Sequence, residues 1–155
     1  MIRCGMCPWS SPVCTQAMSL PTQPSETAEL ARQATELHLQ GRLAEAIECY
    51  RQLLRATPEH PRLHYNLGVA PYQLGNHPAA ITAYNDALRL RPAYPEAWCN
   101  LGIAQTCGSL DAAIECYREA LRLQPGSADI HSNLGNALQL RREKKCGHSP
   151  VMARP

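Results

Sequence analysis

Between residues 27 and 140 the apolar side chains of this chain return at intervals of three and four, and short polar turns interrupt them. That spacing places them on one face of a helix and predicts a succession of amphipathic helices. The pattern also repeats. Aligned on the Ala that follows each turn, TAELARQATELHLQGRLAEAIECYRQLLRATPEH (27–60) is followed by PRLHYNLGVAPYQLGNHPAAITAYNDALRLRPAY (61–94) and PEAWCNLGIAQTCGSLDAAIECYREALRLQPGS (95–127). A fourth copy opens as ADIHSNLGNALQL at Ala128 and loses the pattern after Leu140. Each full copy holds two helix-length segments around a glycine (Gly41, Gly75, Gly108) and closes on a proline (Pro58, Pro92, Pro125). Glycine just past one helix and proline beyond the next are stop signals.

In the second segments Ala46, Tyr50 and Leu53 recur as Ala80, Tyr84 and Ala87, then as Ala113, Tyr117 and Ala120. The spacing puts each trio on one face, where the small Ala lets two helices approach and Tyr fills the space beside it. Trp98-x-x-Leu101-Gly102, Ala113, Tyr117, Ala120 and Pro125, with their equivalents in the other copies, resemble the tetratricopeptide-repeat family. The resemblance implies an all-α fold: antiparallel helix pairs stacked in a right-handed superhelix, an α-solenoid. One pair cannot bury its own apolar face, so roughly three are needed.

The expected organisation is a disordered segment over 1–24 and a repeat domain over 25–143. The domain divides into 27–60, 61–94, 95–127 and a partial, capping repeat over 128–143, and a disordered tail follows over 144–155. Two faults mark the pattern. Pro71 falls inside the first helix of the second copy, where it removes the bond to the Leu67 carbonyl and biases Ala70 away from helix. The predicted cost is about 3 kcal/mol, with a kink or break. The third copy lacks one residue between Gln105 and Gly108, so its turn comes early.

In the family, first helices line a concave groove. Asn66, Asn100 and Asn133 occupy one position in successive copies, and stacked they predict a ladder of carboxamides able to pair with the backbone of an extended peptide. Tyr65, Val69, Cys99 and Ile103 project to the same side with Tyr72 at the edge, which makes an apolar middle suited to side-chain anchors. The ladder resembles the repeat region of O-linked N-acetylglucosamine transferases. The same position can instead hold neighbouring helices together. Glu96 and Asp129, at helix starts, read as dipole-favoured caps. Arg32 and Arg62 add scattered positive charge.

Some family members clamp the C-terminal carboxylate of heat-shock chaperones with Lys and Asn on one helix, Asn on the next, then Lys and Arg on the third. Here those positions hold Ala31, Thr35, Asn66, Glu96 and Asn100. Without the cations a carboxylate loses charge-assisted bonds of ~1.5–3 kcal/mol each, which argues against a chaperone tail.

Composition narrows the rest. At 155 residues with 45% apolar side chains the chain fits one domain. A net charge of +2, with no basic stripe interleaved by aromatics, argues against nucleic acid. No apolar run nears the roughly 20 residues that span a bilayer, so no membrane partner is expected. The start of the chain does not resemble a signal peptide, and a cytoplasmic location is the default. The eight cysteines form no regular framework and read as reduced, small apolar residues. Cys4-Gly5-Met6-Cys7 has redox or metal spacing, but Pro8 follows at once and a structural zinc needs four ligands. Met18 offers an alternative translation start. His64 and His131 take the place of Trp98 as packing substitutes, and His38 reads as a surface residue.

With no nucleophile elbow, phosphate loop or carboxylate pair, no enzyme, metal or cofactor is expected. The expected function is a non-catalytic scaffold that binds a protein or peptide segment in its groove. The alternative is the truncated targeting arm of a larger enzyme, such as an O-linked glycosyltransferase, whose catalytic part is absent.

Overall fold

A computed structural model describes residues 24–146; most of the segments expected to be disordered at 1–24 and 144–155, with Cys4, Cys7 and Cys14, lies outside the described residues. Seven α-helices and no strand occur among those described. They are α1 (Pro24–Leu39), α2 (Leu43–Ala56), α3 (Pro61–Gln73), α4 (His77–Leu90), α5 (Pro95–Gln105), α6 (Leu110–Leu123) and α7 (Ala128–Cys146). Each packs on the helix before and after it, and α3 also meets α5, the next first helix. This is an all-α solenoid of helix pairs.

The helix starts follow from local chemistry. Pro61 and Pro95 open α3 and α5, where a missing N–H costs nothing. The Asn76 and Ser109 side chains cap α4 and α6, accepting from the amides of Ala79 and Ala112. Trp98 Nε1 donates to the Pro92 carbonyl at 2.9 Å, and His64 and His131 reach Pro58 and Pro125 at 2.9 Å with Nε2. All three rings tie a first helix to the loop six residues earlier. Histidine therefore replaces tryptophan here through a shared ring N–H as well as through bulk.

The recurring trios form the core. Ala46, Ala80, Ala87, Ala113 and Ala120 are fully buried, with Tyr50, Tyr84 and Tyr117 beside them. A Cβ on Gly68 would lie 2.5 Å from Tyr84 Cε1, and one on Gly102 would lie 2.7 Å from Tyr117 Cε1. Each tyrosine ring thus presses against the backbone of its own repeat's first helix. At Gly135, the equivalent site in α7, nothing stands within 4 Å. Ile130 and Ala137 of α7 are buried against α6, and Leu134 and Leu138 pack beside them, so α7 covers the third pair.

Four features depart from expectation. α3 is continuous through Pro71, which sits buried in its last turn, and Ala70 is helical. So close to the helix end the ring withholds only the donor for the Leu67 carbonyl, and the chain turns immediately afterwards. The amides of Leu74 and Asn76 still bond back to the Pro71 carbonyl. Secondly, Gly41 and Gly75 adopt φ of +76°, whereas Gly108 does not have a positive φ. At the first two turns the next amide reaches back five residues, Arg42 to Leu37 and Asn76 to Pro71, which needs a left-handed residue. At the third, Ser109 bonds Gln105 at 2.8 Å, four residues back. The missing residue has removed the left-handed step.

The other two concern α7 and α1. Helix α7 runs past Glu143 to Cys146, so the expected tail at 144 begins in helix, and Arg141 reaches Asp111 of α6 at 3.2 Å. His38 is half-buried, its ring 6.3 Å from that of Tyr50. It forms a wall of the first pair rather than an open surface.

Candidate functional site

Two cavities open on the side of the first helices. The first, of about 280 Å³, lies between α1 and α3. Thr35, His38 and Leu39 form one wall; Arg62, Asn66 and Val69 form the other, with Tyr50 and Tyr65 at the base. The second, of about 330 Å³, lies between α3, α5 and the start of α7. Glu96, Cys99 and Asn100 of α5 face Asp129 and Ile130 of α7 across Gln124 and Ser127. Tyr65 belongs to both and divides them. A hollow of about 570 Å³ along the end of α7 is lined, among the described residues, by that helix alone.

The three asparagines have diverged in use. Asn100 Nδ2 donates to the Tyr65 hydroxyl at 2.9 Å, and Asn133 Nδ2 reaches Cys99 Sγ at 3.6 Å. In both cases the carboxamide crosses to the residue preceding the equivalent Asn of the previous repeat. For Asn66 that position is Ala31, which offers no acceptor. Asn66 makes no side-chain hydrogen bond among the described residues and lines the first cavity. The ladder is therefore part tether and part open group.

Tyr65 is fixed from several directions. Its ring lies 5.1 Å from Tyr94 and 5.9 Å from Tyr84, and burial raises its phenol above the ordinary range. Burial likewise raises the Cys99 thiol, with the Asn133 amide working against it. Neither side chain is poised as a nucleophile. Val69 lines the first cavity and Cys99 the second. Ile103 packs against the third-pair core, and Tyr72 lines neither cavity: its ring meets His77 at 5.4 Å.

Thr35, His38, Leu39 and Arg62 join the site without having been singled out for it. Their signal was register, since Thr35 and Val69 occupy one repeat position, as do His38 and Tyr72. Leu39 is 84% exposed, an apolar side chain held open at the lip. No group of three or more His, Cys, Asp or Glu stands ready to hold a metal among the described residues. No helix described is long and apolar enough to cross a membrane.

A stack of helix pairs with its first helices facing an open groove defines a class of repeat protein, and the comparisons agree on which. Residues 32–95 match the tetratricopeptide repeat, and residues 106–140 match the TPR repeat. Together they take in well over half of the chain, which belongs to the tetratricopeptide-repeat family. No curated protein matches. Among solved structures, the first TPR of Spaghetti (RPAP3) bound to the HSP90 peptide SRMEEVD is similar, at 26% identity and a TM-score of 0.73. That match covers 77% of this chain and 96% of the other. The first TPR domain of human RPAP3 gives 27% and 0.72, covering 77% and 94%. The Sgt2 TPR domain from Aspergillus fumigatus gives 23% and 0.76, covering 88% and 92%, and supports the fold alone.

Proposed function

We propose that this chain is a non-catalytic interaction module that holds an extended peptide or protein segment along its first-helix groove. The observation that carries the reading is Asn66. Its carboxamide is set into a cavity with no partner among the described residues, beside an exposed leucine and two tyrosines. A group with both donor and acceptor, left open beside apolar surface, suits the backbone of a bound strand. A similar repeat domain has been solved with a peptide bound, which supports a peptide as the ligand class.

That peptide is the HSP90 peptide SRMEEVD, and the likeness pulls against the sequence argument that sets chaperone tails aside. The residues here still weigh on the other side. Glu96 is an unpaired carboxylate lining the second cavity where the clamp carries a cation, and Asp129 faces it. The targeting-arm alternative rests on the asparagine ladder alone.

The test is titration of the full chain with a nine-residue peptide selected from a displayed library, with SRMEEVD as the comparison. Asn66→Ala should weaken the selected peptide roughly three- to tenfold, the worth of one hydrogen bond, while leaving helicity alone. Unchanged affinity would sink the reading. SRMEEVD should bind less tightly than the selected peptide, and tight binding would restore the chaperone tail.

A further inference from the structure

The second residue of each first helix occupies one repeat position, and from the second copy onward it reads Arg62, Glu96 and Asp129. The charge at a single structural site thus reverses along the groove. Arg62 lines the first cavity; Glu96 and Asp129 line the second. All three are exposed, and none makes an ion pair among the described residues. The second helices behave differently. Arg51, Arg89, Arg118 and Arg122 each pair with a carboxylate three residues earlier.

Helix electrostatics explains only part of this. Glu96 and Asp129 sit in first turns, where negative charge is favoured. Arg62 sits in the first turn of α3, where it opposes the dipole and no acidic residue offsets it. The helix dipole gives no reason for a cation there. Beside it Asn66, four residues on, presents its open carboxamide to the same cavity.

We infer that the groove selects a peptide of mixed charge, with an acidic side chain in the Arg62–Asn66 cavity and a basic one in the Glu96–Asp129 cavity. The inference rests on the peptide-binding reading above. Neighbouring packed helices lie roughly 10 Å apart, a distance that about three residues of extended chain span. The two charges of the ligand therefore stand three residues apart, with the intervening residues crossing Tyr65. A small apolar side chain next to the acidic one meets Leu39 at the lip.

The test uses fluorescein-labelled nine-residue peptides in one Ser/Leu host sequence, carrying Glu-x-x-Lys, Lys-x-x-Glu, Gln-x-x-Gln or Glu-x-x-Glu. Polarisation is read with the full chain at low and high salt. One mixed-charge order should bind about tenfold tighter than the neutral and doubly acidic peptides, and salt should erase the difference. The triple variant Arg62→Glu, Glu96→Lys, Asp129→Lys should prefer the opposite order. All three positions are exposed, and circular dichroism checks that the variant is folded. The milder Arg62→Gln should lose the preference without reversing it. Equal binding of neutral and mixed peptides that Asn66→Ala still weakens would overturn the charge rule and leave the groove. Absence of binding by every peptide, or binding indifferent to Asn66, would overturn both.

Discussion

The outer and inner faces of this solenoid are built on opposite principles. On the second helices nearly every interaction closes within the chain. Ala46, Ala80 and Ala113 vanish into the core, Tyr84 and Tyr117 lie on Gly68 and Gly102, and Arg51, Arg89, Arg118 and Arg122 find partners within one turn. On the first helices Asn66, Arg62, Glu96 and Asp129 are left open, and Leu39 stands in solvent. A fold that satisfies one face and leaves the other unsatisfied shows where a partner can add something. The unsatisfied groups are not random. Asn66 shares its repeat position with Asn100 and Asn133, which are tied down, while Arg62, Glu96 and Asp129 share one position among themselves.

The largest break in that comparison should come from the closed side. Gly68→Val drives a branched side chain into the Tyr84 ring and should cost about 3 kcal/mol, read as a fall in thermal midpoint. Gly135→Ala meets open space and should leave stability unchanged or raised by up to ~1 kcal/mol, the helix propensity of alanine. Equal losses at both would contradict the tyrosine account. Gly75→Ala should cost about 1–2 kcal/mol in chemical unfolding, since alanine resists φ of +76°. Gly108→Ala should be near neutral.

Within the groove, Asn100→Ala should cost roughly 1 kcal/mol by releasing Tyr65, whereas Asn66→Ala should stay within ~0.5 kcal/mol and lose only ligand. Urea melts of the two separate tether from open group.

Alkaline pH sharpens the same contrast from the core side. Burial pushes the Cys116 thiol up to about 11, so the unfolded chain releases that proton first as pH rises. The contribution is whole below the ordinary thiol value and is lost as pH climbs to about 11, so stability should fall across that window. Cys116→Ala should flatten the fall, while Cys107, exposed at the third turn, should react with thiol reagents well before it. The smallest effect belongs to the outer ion pairs: Arg51→Ala should change stability by less than ~0.5 kcal/mol.

How much of this was legible in the sequence differs between the two faces for a physical reason. The outer pattern is fixed by steric closeness between helices of one repeat, and closeness leaves a regular trace of Ala, Tyr and Gly. Pairing across repeats leaves no such trace. Whether an asparagine is a tether or an open group depends on what stands one repeat earlier, Tyr65 for Asn100 but Ala31 for Asn66. Pro71 misled because propensity prices a proline by helix interior, whereas the turn at Gly75 follows within four residues. Glu96 and Asp129 read as dipole-stabilised caps, and only their register with Arg62 reveals the change of sign.

The central claim is that the open groups of the first helices are the binding surface. The direct measurement is a nitrogen-15 NMR titration of the full chain with a peptide selected from a displayed library. The account predicts shifts at Tyr65, Asn66, Val69 and Cys99, with the outer residues Arg51, Arg89 and Arg118 unmoved. Shifts confined to the second helices or to the far end of α7, beyond Leu138, would contradict it.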